Sequence, residues 1–262
     1  MPRAERSRIV SLAPSSTSIL VALGARHQLV GVSKWCKFVA AVRGLPELGD
    51  CWSLDPESVM RLRPTLVIGS VPFKAETVSR LLEQPVNFLA QNPRSLADVY
   101  RDIRMLGALT GRAPAAEKLV RHMEQGFAAI ARRAPRSRVR PRVYCEAWPH
   151  PRISSPPWVA ELVEICGGRF VCRPGARVSD TEVARARPEV IALAWTATGD
   201  RARVDSALHN PHWSKIPAVR DHRVHVVRDE LLNTPGPPLL RGAAELFRIL
   251  HPQLAPRRRS GT

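Results

Sequence analysis

Short apolar runs rich in β-branched residues recur along this chain, with helically spaced segments between them. No other feature of the sequence restricts the fold as tightly. The runs are residues 8–12 (RIVSL), 29–33 (LVGVS), 65–70 (TLVIGS), 86–90 (VNFLA), 142–147 (RVYCEA), 190–194 (VIALA) and 223–227 (RVHVV). Each is bounded by turn chemistry or by charge, as buried strands are. Segments such as DPESVMRLR and AETVSRLLEQ fall between them. Strand and helix in alternation predict βαβ units and parallel sheets.

The middle of the chain breaks this rhythm. Leu96, Val99, Ile103 and Leu106 recur at helical spacing, Thr110-Gly111 interrupts, and Pro114 sits where a missing N–H does no harm. A second helix is predicted over about 113–133, roughly 30 Å long at 1.5 Å per residue. The expected organisation is an N-terminal α/β lobe over 1–93, a helical connector over 94–137 and a C-terminal α/β lobe over 138–262.

Composition excludes several classes. No apolar segment approaches the roughly 18 residues that span a bilayer. The N-terminus MPRAERSRIV carries basic residues with no apolar stretch after them. As it stands the chain is expected to be cytoplasmic, or periplasmic or membrane-anchored if the true start lies upstream. Five cysteines, an odd number with no C-x-x-C pair, predict free thiols rather than a disulfide framework or a zinc knuckle. The net charge of +17 invites anionic partners. Its densest stretches, ARRAPRSRVRPRV and PRRRS, lack interleaved aromatics, and no nucleic-acid module is visible.

The first strand leaves through Ala13-Pro14 into Ser15, Ser16 and Thr17, hydroxyls suited to capping a helix or facing a crevice. There is no G-x-x-x-x-G-K-[ST], no G-x-G-x-x-G and no G-x-S-x-G, so a phosphate loop and a nucleophile elbow are both excluded. Ligands of parallel sheets bind outside the carboxyl ends of the strands. Trp35, Phe73, Trp148 and Trp195 all follow strand ends, and Trp52 lies in a loop before a helix. Such an edge suits a large planar or apolar ligand, with Glu146 as a polar anchor beside it. The two H-x-x-H pairs, His209/His212 and His222/His225, read as surface or cap residues, since the latter pair would point to opposite faces of a strand. No metal site and no catalytic constellation is expected.

Taken in order, RIVSLAPSSTSILVALG…LVGVS, DPESVMRLRPTLVIGS, PRSLADVYRDIRMLGALTG, WVAELVEICGG and IPAVRDHRVHVV…PGPPLLRGAAELFRIL resemble the cobalamin-type substrate-binding proteins of ABC importers. These belong to the helical-backbone metal-receptor superfamily of class III periplasmic binding proteins, with siderophore and haem binders as relatives. The resemblance implies two parallel-sheet α/β lobes joined by a single long rigid helix, with a corrinoid in the cleft between them. By that similarity Pro14, Ser15, Ser16, Trp35 and Trp52 face the ligand from the first lobe, and Trp148 and Trp195 from the second. It implies an ABC permease dimer as partner, docked through Glu57 and Glu182, and a monomeric, non-catalytic chain. Two positions depart from the family: Ser18 where an acidic residue is usual, and Cys36-Lys37 where the second residue is usually Asp. A haem or iron–siderophore binder on the same scaffold is the alternative ligand reading. A cytoplasmic corrinoid sensor or nucleic-acid-associated module is the alternative from another class.

Overall fold

The first apolar run is buried on every side because it becomes a central strand. In the computed structural model, which describes residues 7–135 and 140–254, the chain divides into two compact units. Unit 1 holds the described residues up to His122 together with Thr234–Pro238; unit 2 holds those of Met123–Asn233 and from Leu239 onward.

Unit 1 begins with β1 (Ile9–Ser11), α1 (Pro14–Ala22), β2 (Leu29–Ser33), β3 (Glu47–Leu48) and α2 (Pro56–Met60). It continues with β4 (Leu66–Ser70), α3 (Ala75–Leu82), β5 (Asn87–Gln91) and α4 (Leu96–Leu109). The sheet order is β3-β2-β1-β4-β5, parallel throughout. Val10, Leu12, Val59, Val67 and Leu81 make its core. Ser95 caps α4 by accepting from Asp98 N at 3.1 Å, and Leu96, Val99, Ile103 and Leu106 form its buried stripe. Gly111, at φ +67°, supplies the left-handed turn that ends this helix.

The next helix, α5 (Ala113–Arg133), coincides with the predicted span, and the boundary between the units falls inside it. Its buried residues Ala116, Val120, Met123 and Phe127 recur every three or four positions.

Unit 2 continues with β6 (Arg142–Pro149), β7 (Arg152–Ser154), α6 (Pro157–Ile165), β8 (Arg169–Phe170) and α7 (Asp180–Ala186). After these come β9 (Val190–Leu193), α8 (Asp205–Leu208), α9 (Pro217–Arg220), β10 (Val224–Val226), α10 (Asp229–Leu232) and α11 (Pro238–Leu250). The order is β10-β9-β6-β7, and β8 pairs with the start of β6. The sheet is parallel as expected except at β7, a short addition that runs antiparallel to β6 as a hairpin through His150-Pro151. That hairpin lengthens β6 past Ala147, so Trp148 lies inside a strand rather than after one. The core gathers Tyr144, Ile191, Leu193 and fully buried Trp213, whose ring meets Tyr144 edge-on at 6.2 Å.

All five cysteines are free, with only Cys172 partly exposed. No helix among the described residues is long and apolar enough to cross a membrane. The predicted boundary at 137/138, the middle of the ARRAPRSRVRPRV stretch and the PRRRS tail lie outside the described residues.

Helix α11 passes directly over α10: a Cβ on Gly242 would stand inside contact distance of the Leu231 carbonyl, which is backbone and cannot step aside. Gly242→Ala should therefore destabilise unit 2 by about 1–3 kcal/mol, the usual range for overpacking. Urea unfolding checks this, and an unchanged midpoint would show that the two helices can part freely.

Candidate functional site

The elbow after β1 turns its hydroxyls inward. The N-cap of α1 is Ala13, with no side-chain cap, and Pro14 occupies the first turn. Ser16 Oγ donates to Gln91 Oε1 at 2.5 Å, and Thr17 Oγ1 lies 2.7 Å from Ser11 Oγ and 3.0 Å from Cys36 Sγ. The expectation that these hydroxyls cap the helix or face a crevice is corrected: Ser16 and Thr17 are fully buried and bond within unit 1. Ser15 is buried, and Pro14 is partly exposed. Phe73 also turns inward; it packs on the unit 1 core and meets Phe88 edge-on at 5.9 Å.

Unit 1 exposes two aromatics together with Val71, Leu82 and Leu109. Trp52 is 56% and Phe38 55% exposed, large values for such side chains. Trp35 is half-buried; its ring centroid lies 6.3 Å from that of Phe38, and Lys34 Nζ stands 5.0 Å from it. Asp50 ties this surface together. Its Oδ2 accepts from Trp35 Nε1 at 2.7 Å, while Oδ1 accepts from Trp52 N at 3.0 Å and from Ser53 N at 3.1 Å. One carboxylate thus fixes the loop after β2 and the loop before α2. Burial pushes the Asp50 carboxyl up, but the donors from Trp35, Trp52 and Ser53 outweigh it and hold the group below its ordinary value. Neither Asp50 nor Phe38 was among the residues expected from sequence. The one signal was the D-C-W-S order, in which an Asp can accept from backbone N–H groups two and three residues on.

In unit 2 Glu146, expected as a polar anchor beside the ligand edge, is fully buried. Its Oε1 accepts from Trp195 Nε1 at 2.9 Å; its Oε2 accepts from Tyr144 OH at 2.9 Å and pairs with Arg152. Arg152 Nε also donates to Asp180 Oδ1 at 2.7 Å, and its guanidinium lies 4.3 Å from the Trp213 ring centroid. Burial pushes the Glu146 carboxyl up, against Arg152, Trp195 and Tyr144, which favour its charged form. Trp195, half-buried, leads a loop held by Asp229, which accepts from Ala197 N at 2.9 Å and Gly199 N at 2.7 Å. Trp148 is 40% exposed and donates from Nε1 to the His150 carbonyl at 2.8 Å.

Of the two acidic residues expected to dock a partner, Glu57 is exposed in the first turn of α2. Glu182 is exposed but closes the capping box of α7, accepting from Ser179 N at 2.7 Å and Ser179 Oγ at 2.8 Å. His209, His212 and His222 are exposed and His225 lies within β10; no group of metal-ligating side chains occurs among the described residues.

Two α/β units, each with ordered aromatics, are features of a solute-binding protein. Residues 9–231 match the periplasmic binding protein family, and the chain belongs to that family. It is 27% identical over 260 residues to the uncharacterized ABC transporter substrate-binding lipoprotein YvrC of Bacillus subtilis (strain 168), covering 95% of this chain and 81% of that protein. It is 24% identical over 245 residues to a vitamin B12-binding protein of Vibrio parahaemolyticus, covering 91% and 87%. Among solved structures, a periplasmic heme binding protein from Pseudomonas aeruginosa superposes with a TM-score of 0.83 at 25% identity, covering 95% of this chain and 94% of that one.

Two predictions test this wiring. Asp50 is depressed in the folded state, so its contribution to stability is present above the unfolded pKa of about 3.9 and is lost as pH falls through the folded value. Asp50→Asn should lose less stability than the wild type between about pH 4 and 2, as read from urea midpoints; parallel acid limbs would show that Asp50 is not held by its donors. Arg152→Met leaves a buried carboxylate without its cation and should cost about 3–5 kcal/mol. A loss under 1 kcal/mol in chemical denaturation would mean that Glu146 does not need the pair.

Proposed function

We propose that the chain binds a corrinoid, cobalamin or a close relative, for ABC-type uptake. The observation that carries this reading is the cluster of exposed Phe38 and Trp52 with half-buried Trp35, in which one carboxylate holds the Trp35 indole and the Trp52 backbone. Stacking and apolar burial on such rings suit a large flat ligand, and rings already held in place lose less entropy on binding. Trp148 and Trp195 of unit 2 are proposed as further contacts, and Glu57 and Glu182 as contacts with the permease. The similarity to a vitamin B12-binding protein supports the corrinoid.

Haem is the second reading, favoured by the likeness to the Pseudomonas aeruginosa structure and by Lys34 beside Trp35, a cation placed to meet a propionate. Absorbance titration of the chain with cyanocobalamin, haem and a ferric siderophore separates the ligands. Saturable binding of cyanocobalamin at the lowest concentration is expected; tighter binding of haem or of the siderophore would reassign the site. The double variant Trp35→Ala/Trp52→Ala should weaken cyanocobalamin binding at least tenfold, about 1.4 kcal/mol. Unchanged calorimetric affinity would remove the aromatic surface from the site.

A further inference from the structure

Unit 2 has a concavity of about 410 Å³ whose charge is nearly all of one sign. Arg173, Arg177 and Arg185 line it, with Glu182, the Cys172 thiol and Val178 between them. All three arginines are exposed, and none has an ion-pair partner among the described residues. Arg140, Arg142, Arg152, Arg220, Arg228 and Arg248 of the same unit are each paired with a carboxylate; Arg169, Arg187 and Arg201 are exposed without an ion pair among the described residues, and what sets Arg173, Arg177 and Arg185 apart is that they line one concavity. Glu182 does not neutralise the group. Its Oε2 accepts two hydrogen bonds from Ser179 at the start of α7, and Arg185 acts on it without forming an ion pair. Burial pushes the Cys172 thiol up to about 11, so it is neutral.

The frame that carries these arginines is set by main-chain bonds. Ser154 N donates to the Ala176 carbonyl at 3.0 Å, Gly175 N to the Ser155 carbonyl at 2.9 Å and Val178 N to the Arg152 carbonyl at 3.1 Å. Ile153 and Arg177 form an antiparallel bridge, and Ser154 Oγ bonds to the Arg173 carbonyl. The segment from Arg173 to Val178 is therefore laced to β7, and α7 supplies Arg185 beside it.

We infer that this concavity docks an acidic segment of a partner protein, one presenting two or more carboxylates. Unpaired guanidiniums around a small apolar floor match carboxylates on an opposing surface, and Arg is the cation best suited to that geometry. All three arginines are exposed, as in a docking face, whereas a site for a small free anion would enclose them. The inference does not depend on which solute the chain binds.

The test is fluorescence anisotropy of a labelled hexaglutamate peptide with the full chain at low ionic strength. Arg173→Ala/Arg177→Ala/Arg185→Ala should weaken binding at least tenfold. A control that removes the same charge from unit 1, Arg43→Ala/Arg80→Ala/Arg94→Ala, should change it less than twofold. Arg185→Glu alone, a single exposed substitution, should weaken binding at least threefold. Equal losses in both triple variants would show attraction to overall charge and overturn the site. Equal competition by inorganic phosphate and by unlabelled peptide, matched in anionic groups, would reassign the concavity to small anions and overturn the docking role.

Discussion

Unit 2 takes a carboxylate fully out of water at Glu146, and much of its architecture follows from having to satisfy that charge. A buried carboxylate is tolerable only with a cation and with donors for its remaining lone pairs. Arg152 supplies the cation, and the β6–β7 hairpin is the device that brings it back alongside Glu146. The same guanidinium reaches Asp180 at the start of α7 and covers the Trp213 ring. Hairpin, helix and aromatic core are therefore keyed to one side chain. Buried ion pairs add little net stability compared with apolar packing of the same volume. What this pair supplies is placement: β7, α7 and the Trp195 indole are held in one arrangement.

Unit 1 uses the same chemistry at its surface. Trp35 donates its indole N–H to Asp50 at 2.7 Å, as Trp195 does to Glu146 at 2.9 Å. The difference is solvent. Asp50 is only partly buried and needs no counter-cation; its donors are an indole, two backbone amides and the Ser53 hydroxyl. In each unit a half-buried indole is fixed through its single polar atom. Rings fixed this way are ordered without any ligand.

Much of the fold was legible in the sequence, because long runs and long periods leave marks. Strand β2 and helix α5 match their predicted spans, since one is a clean apolar run between turns and the other has an unbroken helical stripe. Strands β3, β7 and β8 were not legible. Two or three residues cannot show a period, and Pro149 to Pro151 reads as a loop rather than as a hairpin. At the site, aromatic positions could be marked but not sorted. Trp213 is fully buried and Trp52 mostly exposed, and nothing adjacent in sequence distinguishes them. Asp50 escaped notice because its role depends on residue 35 coming close, which only the pairing of β2 with β3 brings about. The inward turn of Ser16 likewise depends on Gln91, far along the chain at the end of β5.

The path of the backbone has a consequence for how the molecule can be taken apart. Thr234–Pro238, late in the chain, belongs with unit 1, where Gly236 sits so near Ser18 and Ile19 that an added Cβ would lie 3.1 and 3.3 Å from them. The boundary in α5 also runs through the middle of a hydrogen-bonded helix rather than through a linker. No single scission yields two halves that each keep all their native parts. A fragment cut at the helix boundary loses the piece that lies against α1, and one extended to recover it must include nearly everything else. Each unit is assembled from two separate stretches of chain, so neither can be excised as one contiguous module.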